Sequence, residues 1–183
     1  MKSFLILLFL SSVFTYDRNA AVKYAYKHAF NINHKCGSGR WKCTPYGYFG
    51  NEHCSYPKDN GDCANFVSQC LLAGGHKALK GGQCRGTPCN VEIGAYKLAV
   101  CLHKTFGWKR ACGYRMPPPT WIKKGDVLIY HSGSCDSQVA HATLVTVAGK
   151  NAKITGHSDE AKDKDYTYNA NKKPYYEWLH FQG

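Results

Sequence analysis

The sequence predicts an α+β fold in which an N-terminal helical part packs on a C-terminal antiparallel sheet. Apolar residues with helical spacing lie early in the chain, at residues 16–29 and 61–75. Short runs rich in β-branched residues follow at 126–131, 139–147 and 152–158. Because the helices precede the strands and do not alternate with them, the pattern excludes a series of βαβ units.

The chain of 183 residues suits one domain preceded by a signal peptide. Lys2 and the short apolar run at 4–10 are typical of such a peptide, with cleavage expected after Thr15. We therefore assign residues 1–15 to the signal peptide and residues 16–183 to the domain. No stretch approaches the roughly 20 apolar residues of a membrane span. We expect a secreted protein, extracellular or in a vesicle lumen, and monomeric.

The net charge of +12 favours an anionic partner. Lys and Arg are scattered along the chain and form no dense arm or basic helix, so dedicated nucleic-acid binding is not expected. A bacterial cell wall or another anionic polymer remains as the expected partner or substrate.

Ten cysteines in an exported chain indicate disulfides. If Cys63 is reactive it stays reduced, and Cys70, on the buried face of the same helix, is the expected second thiol. The remaining eight would form four bridges whose pairing the sequence leaves open: Cys36, Cys43, Cys54, Cys84, Cys89, Cys101, Cys112 and Cys135. No Cys-x-x-Cys pair is present, so neither a structural metal nor another cofactor is expected.

The first helix is predicted over residues 16–29, with Asp17 as its N-cap. A long loop follows at 31–60, and its aromatic residues either wall a substrate groove or cover the core. A second stapled loop at 81–89 leads to a helix predicted over 90–102. The residues of this helix expected to face inward are Ile93, Tyr96 and Val100.

The strands at 126–131, 139–147 and 152–158 are separated by short turns and predict an antiparallel meander. The aromatic stretch 166–181 predicts a last strand or sheet edge. In the second strand, strict alternation places His141 and Thr143 on one face.

The helix over 61–75 is the expected carrier of a nucleophile. Asp62 is a plausible N-cap and Gly74-Gly75 a plausible end. Cys63 then lies in the first turn, where unpaired N–H groups and the helix dipole stabilise a thiolate. Such a setting can lower a cysteine pKa from about 8.5 to roughly 3.5–7.5. The alternative is that Cys63 is one more disulfide cysteine.

A cysteine hydrolase also needs an imidazole and a polar group that orients it. His141, flanked by two alanines, is the candidate base, and His157 at the end of the next strand is the candidate orienting group. Ser158 and Asp159 are alternatives for the third role. The Cys63 backbone N–H would supply an oxyanion donor. Each histidine has an ordinary structural interpretation too, and His131 resembles His141 in its position on a strand.

Several segments in chain order resemble the Putative amidase domain family. Residues 16–25 read Tyr-Asp-Arg-x-x-Ala-Val-x-Tyr-Ala, and residues 61–69 read Gly-Asp-Cys-x-Asn-Phe-Val-Ser-Gln. Residues 124–127, 141–142 and 155–159 fit later landmarks of that family. The family is similar to the papain-like amidases of the CHAP and NlpC type, many of which cut peptidoglycan amide bonds.

This resemblance implies a papain-like, disulfide-stapled fold in which Cys63 is the nucleophile, His141 the general base and acid, and His157 the orienting residue. Asp159 and Ser158 remain the alternative third members. The implied function is a secreted cysteine amidase or peptidase acting on peptidoglycan. The alternative is a non-catalytic basic protein that binds wall glycans or other anionic polymers. The stapled loops differ from compact bacterial members, so substrate specificity does not carry over.

Overall fold

A computed structural model describes residues 15–30, 63–85, 92, 94–157 and 161–183. Its helices are α1 (Arg18–His28), α2 (Cys63–Ala73) and α3 (Ala95–Val100), and α3 continues into a π-helical turn, Cys101–Thr105. The strands are β1 (Lys80–Gly81), β2 (Cys84–Arg85), β3 (Lys109–Tyr114), β4 (Val127–His131), β5 (Ala140–Val147), β6 (Lys153–Gly156), β7 (Ala161–Asp165) and β8 (Tyr175–His180).

The main sheet is antiparallel with the strand order β3-β8-β4-β5-β6-β7, and β1 and β2 form a separate small hairpin. The predicted α+β class and the meander from β4 to β6 are confirmed. The predicted last strand is confirmed as β8, which lies between β3 and β4 and is therefore not an edge. The two edge strands, β3 and β7, were not predicted from the sequence. Both are largely exposed and rich in charge, so neither carries the apolar alternation by which strands are recognised.

The third helix is shorter than predicted. It begins at Ala95, after Gly94 as N-cap, and not at residue 90. Tyr96 and Val100, which were expected to face the core, are half-buried and line a cleft, and Ile93 lies outside the described residues. The side chains that α3 buries are Ala95, Leu98 and Ala99. Small alanines let this short helix approach the rest of the core closely.

The sheet separates two cores. The core between sheet and helices includes Phe66, Leu98, Ala142 and Leu144. The core on the opposite face includes Leu128, Tyr130, Val145, Ile154, Tyr176 and Trp178. Since side chains alternate along each strand, Ala142 and Leu144 face α2 whereas Val145 faces away from it.

The ends of α1 and α2 meet at a close backbone approach. Asp17 caps α1 by accepting from the N–H groups of Asn19 and Ala20 at 2.8 and 3.0 Å, as predicted. The N–H of Asp17 donates to Gly74 O at 2.7 Å. A Cβ at Gly74 would lie 2.5 Å from the Tyr16 ring, so only glycine fits there.

α2 ends as expected at its two glycines. Gly75 has φ +80°, the left-handed conformation that glycine adopts at little cost. The N–H groups of Gly75 and His76 donate to Leu72 O and Leu71 O, both at 2.9 Å, which closes a Schellman motif. Asp62, the predicted N-cap, lies outside the described residues.

A buried carboxylate, Asp126, ties α1 to the start of β4 and the end of β8. Arg18 donates to its Oδ1, and His180 Nδ1 donates to its Oδ2 at 2.7 Å. The backbone N–H groups of Lys123 and Phe181 add contacts of 2.7 and 3.4 Å. We call this set the Asp126 anchor. Its hydrogen bonds compensate the cost of burying the charge.

His76 fills a buried aromatic cluster beside the end of α2. Its Nε2 accepts from Trp108 Nε1 at 3.2 Å, and its Nδ1 donates to Lys77 O at 2.9 Å. Burial lowers the pKa of His76, and the neighbouring Lys77 charge acts in the same direction. The ring therefore serves as a neutral, hydrogen-bonded core residue.

Two disulfides lie in the described part of the chain, Cys84–Cys101 and Cys112–Cys135. Cys63 and Cys70 are buried thiols, as expected. The remaining cysteines, and the predicted loop at 31–60 with its aromatic residues, lie outside the described residues. The described helices are also too short to cross a membrane.

Candidate active site

Cys63 is the first residue of α2, and only 6% of its surface is exposed. The apolar residues that follow it at helical spacing, Phe66, Val67, Cys70 and Leu71, are fully buried, as this spacing predicts. A thiol in the first turn lies beside backbone N–H groups that have no partner within the helix, which favours the thiolate. Because side chains on several sides of α2 are buried, packing fixes the orientation of this first turn.

His141 is the second residue of β5, paired in register with Tyr130 of β4. Its ring is 5% exposed and lies 6.1 Å from the Tyr130 ring, centroid to centroid. Its Nε2 is hydrogen-bonded to Tyr168 Oη at 2.9 Å. Tyr168 and Tyr130 belong to the core on the sheet face opposite the helices. The ring of His141 is thus held by two tyrosines on that side.

His157 directly follows β6 and is almost fully buried. Its Nε2 donates to His28 O, at the end of α1, at 2.7 Å. Its ring stacks on Phe66 with centroids 4.2 Å apart. Because a carbonyl can only accept, this contact puts a proton on Nε2. His157 therefore lies against α2, one turn from Cys63.

α2 packs against both β5 and β6. The structure places the His157 ring on the helix side of the sheet and the His141 ring on the opposite face, so the two rings do not share one face. It places His141 beside Tyr168 and His157 beside Phe66. The alternative third members, Ser158 and Asp159, lie outside the described residues. His131, the similar-looking histidine, bonds through Nε2 to Glu177 in a different cluster.

Tyr168 was missed by the sequence analysis. It lies in the turn region after β7, inside the stretch that was interpreted as a last strand. No spacing or motif connects it to His141, and its contact exists only because the β7–β8 connection folds back over Tyr130.

The polar signature residues of α2 other than Cys63 take part in structural contacts. Gln69 Nε2 donates to Asn65 Oδ1 at 2.9 Å, and Tyr24 Oη of α1 donates to Gln69 Oε1 at 2.8 Å. Ser68 Oγ donates to Glu92 O at 2.8 Å. These contacts lock α2 to α1 and to the segment before α3.

The Tyr-Asp-Arg segment (residues 16–18) contacts the Lys-Gly-Asp segment (residues 124–126). Tyr16 Oη donates to Gly125 O at 2.8 Å, and Arg18 Nη1 donates to Lys124 O at 3.1 Å as well as to Asp126. Gly125 has φ +83°, and a Cβ there would lie 3.0 Å from Arg18 Cβ. The two segments therefore hold the first helix against the sheet.

Among the described residues, no group of three or more His, Cys, Asp or Glu side chains is arranged to hold a metal ion. The side chains with chemistry to offer at α2, β5 and β6 are the thiol of Cys63 and the imidazoles of His141 and His157, together with the hydroxyl of Tyr168.

The fold and these side chains define a thiol-bearing α+β domain with its cysteine at a helix start. A family description, Putative amidase domain, matches residues 15–179, so the chain belongs to that family. This membership indicates a hydrolase that acts on amide bonds. Searches of curated proteins and of solved structures found no match.

Proposed function

We propose that the protein is a secreted cysteine amidase of papain-like type, and that Cys63 is its nucleophile. The observation that carries the proposal is the coincidence of the family match with a buried thiol at the first residue of the signature helix. The ring of His157 packs on the same helix, against Phe66 one turn from Cys63. A disulfide-linked chain suits an exported protein.

In the proposed reaction, the Cys63 thiolate attacks the carbonyl carbon of the amide and forms a tetrahedral intermediate. The Cys63 backbone N–H at the helix start stabilises its oxyanion. A histidine imidazolium then gives its proton to the leaving amine as the C–N bond breaks. The same imidazole next takes a proton from water, whose oxygen attacks the thioester and releases the acid and the thiolate.

His141 and His157 are the two candidates for this histidine. The resemblance favours His141, whereas the position of the His157 ring on the helix side of the sheet, stacked on Phe66, favours His157. His141 bonds through Nε2 to Tyr168 at 2.9 Å on the opposite face. We infer that His157 exchanges protons with Cys63 through Nδ1, since its Nε2 donates to His28 O.

Replacing His157 by glutamine is expected to lower kcat/KM about 100-fold or more, because the leaving amine then has no proton donor. Tyr168→Phe, which removes the hydrogen bond to His141, should leave kcat/KM within about threefold of the wild type. The measurement is kcat/KM for both variants and the wild type.

Tyr166→Phe is the matched control, because the Tyr166 ring packs on Tyr176 and Trp178 in the same region. Its kcat/KM should follow the wild type. A loss in Tyr168→Phe as large as that in His157→Gln would instead favour His141 as the general acid and base.

We propose bacterial cell-wall peptide as the substrate. The chain carries a net charge of +12, which raises the local concentration of protein at an anionic wall. The direct test is to incubate purified peptidoglycan with the protein and to measure newly released amino groups. Denatured casein serves as the comparison substrate.

Release of amino groups from the wall but not from casein would support the wall amidase. Release from casein at a similar rate would indicate a general proteinase. Salt-sensitive binding to the wall with no release would favour the non-catalytic binding protein.

A further inference from the structure

A cleft of about 440 Å³ lies between α3, the π-helical turn and the strands β3 and β8. Its volume is in the range of small-molecule sites. None of the residues proposed for amide hydrolysis lines it. The lining side chains are Gln83, Tyr96, Ala99, Val100, His103, Lys104, Arg110, Asp136 and Glu177.

Both disulfides in the described part of the chain fix elements that line this cleft. Cys84–Cys101 joins the β1–β2 hairpin, beside Gln83, to the π-helical turn that carries His103 and Lys104. Cys112–Cys135 joins β3, which carries Arg110, to the loop that carries Asp136. The rim is therefore covalently fixed, and π-helical turns are frequent at functional sites.

The acidic groups of the cleft are already engaged. Glu177, 2% exposed, bonds to Arg110 through Oε1 and to His131 Nε2 through Oε2 at 2.7 Å. Asp136 lies 3.5 Å from Arg110. Their charges are thus balanced from within the protein.

His131 lies behind the cleft and holds Glu177. Its Nδ1 lies 2.9 Å from Ser137 O, and its Nε2 lies 2.7 Å from the Glu177 carboxylate. Arg110 is paired with Glu177 and Asp136. Lys104 is therefore the cation of the lining that is left to attract an anion.

The rest of the lining offers donors and an apolar wall. Tyr96 has a hydroxyl and Lys104 an ammonium group, and neither has a protein partner among the described residues. His103 Nδ1 donates to Trp108 O at 3.0 Å, which fixes how its ring sits at the cleft. Ala99 and Val100 supply a short apolar surface beside these groups.

We propose that this cleft is a binding site for a small organic carboxylate with a short apolar body. The carboxylate is held by Lys104 and Tyr96 near the Arg110 guanidinium, and the apolar body lies on Ala99 and Val100. The site is separate from the proposed catalytic residues, so it stands whether or not Cys63 is a nucleophile.

The test uses the full domain with its disulfides intact and hexanoate as the probe, followed by amide chemical shifts in NMR. Saturable shifts are expected in residues 96–104 and at Arg110, with a dissociation constant on the order of 1 mM. Lys104→Gln should weaken binding about tenfold, because a hydrogen bond between charged groups is lost. Lys104 is exposed, so the variant should fold normally.

Lys109→Gln is the matched control. Lys109 neighbours Arg110 on β3 but points to the other face, with its Nζ 4.6 Å from the Trp121 ring centroid, and its loss should leave the affinity unchanged. Equal binding of 1-hexanol would overturn the role of the carboxylate, and equal binding of inorganic phosphate would overturn the role of the apolar body. Absence of saturable shifts in the millimolar range, or equal affinities of the two lysine variants, would remove the site.

Discussion

Cys63→Ala is expected to abolish amide hydrolysis, with a loss of about 10⁴-fold or more in kcat/KM. Without the sulfur, no covalent intermediate forms, and nothing else in the signature helix replaces the nucleophile. The fold should persist, because exchanging this small buried side chain costs about 1 kcal/mol. The measurement is amine release from the cleaved substrate, with circular dichroism and thermal unfolding as the check on folding.

Cys70→Ala is the natural control, since Cys70 is a buried thiol on the same helix. It removes an equal volume of core two turns away and should leave kcat/KM within about threefold of the wild type. If Cys63→Ala keeps its activity while remaining folded, Cys63 is not the nucleophile and the proposed mechanism fails.

Asp126→Asn is expected to lower the free energy of unfolding by about 3 kcal/mol. The carboxylate is fully buried, and its loss leaves Arg18 and His180 facing a neutral amide whose nitrogen cannot accept. For a domain whose total stability is about 5–15 kcal/mol, this is a large fraction. Urea unfolding at neutral pH measures the difference.

Asp165→Asn provides the comparison. Asp165 pairs with Lys153 at 2.7 Å, but both side chains are substantially exposed, so the pair should contribute about 0–1 kcal/mol. A loss in Asp126→Asn no larger than that in Asp165→Asn would show that the Asp126 anchor does not hold the fold together.

The buried elements of the fold could be predicted because their patterns are local. α2 has its apolar residues at helical spacing and its stop at two glycines, and β4 to β6 are rich in β-branched residues between turns. β3 and β7 could not be predicted, since an exposed edge strand is stabilised by backbone pairing with a neighbour and carries no pattern of its own.

The same distinction between local and long-range patterns applies to the residues of the candidate site. Cys63, His141 and His157 were recognisable because residue type and local position suggest chemistry. Tyr168 was not, because its hydrogen bond to His141 depends on how the β7–β8 connection folds over Tyr130. The roles of Arg18 and Asp126 were likewise hidden, since they are 108 residues apart in sequence.

The Asp126 anchor also determines when the first helix can become stable during synthesis. Arg18 meets Asp126 across 108 residues and Phe181 O across 163 residues. An 11-residue helix such as α1 is too short to persist without packing partners. Although α1 emerges early from the ribosome, it gains its full set of partners only after β8 has been made, so the earliest part of the domain to be translated is among the last to reach its native position.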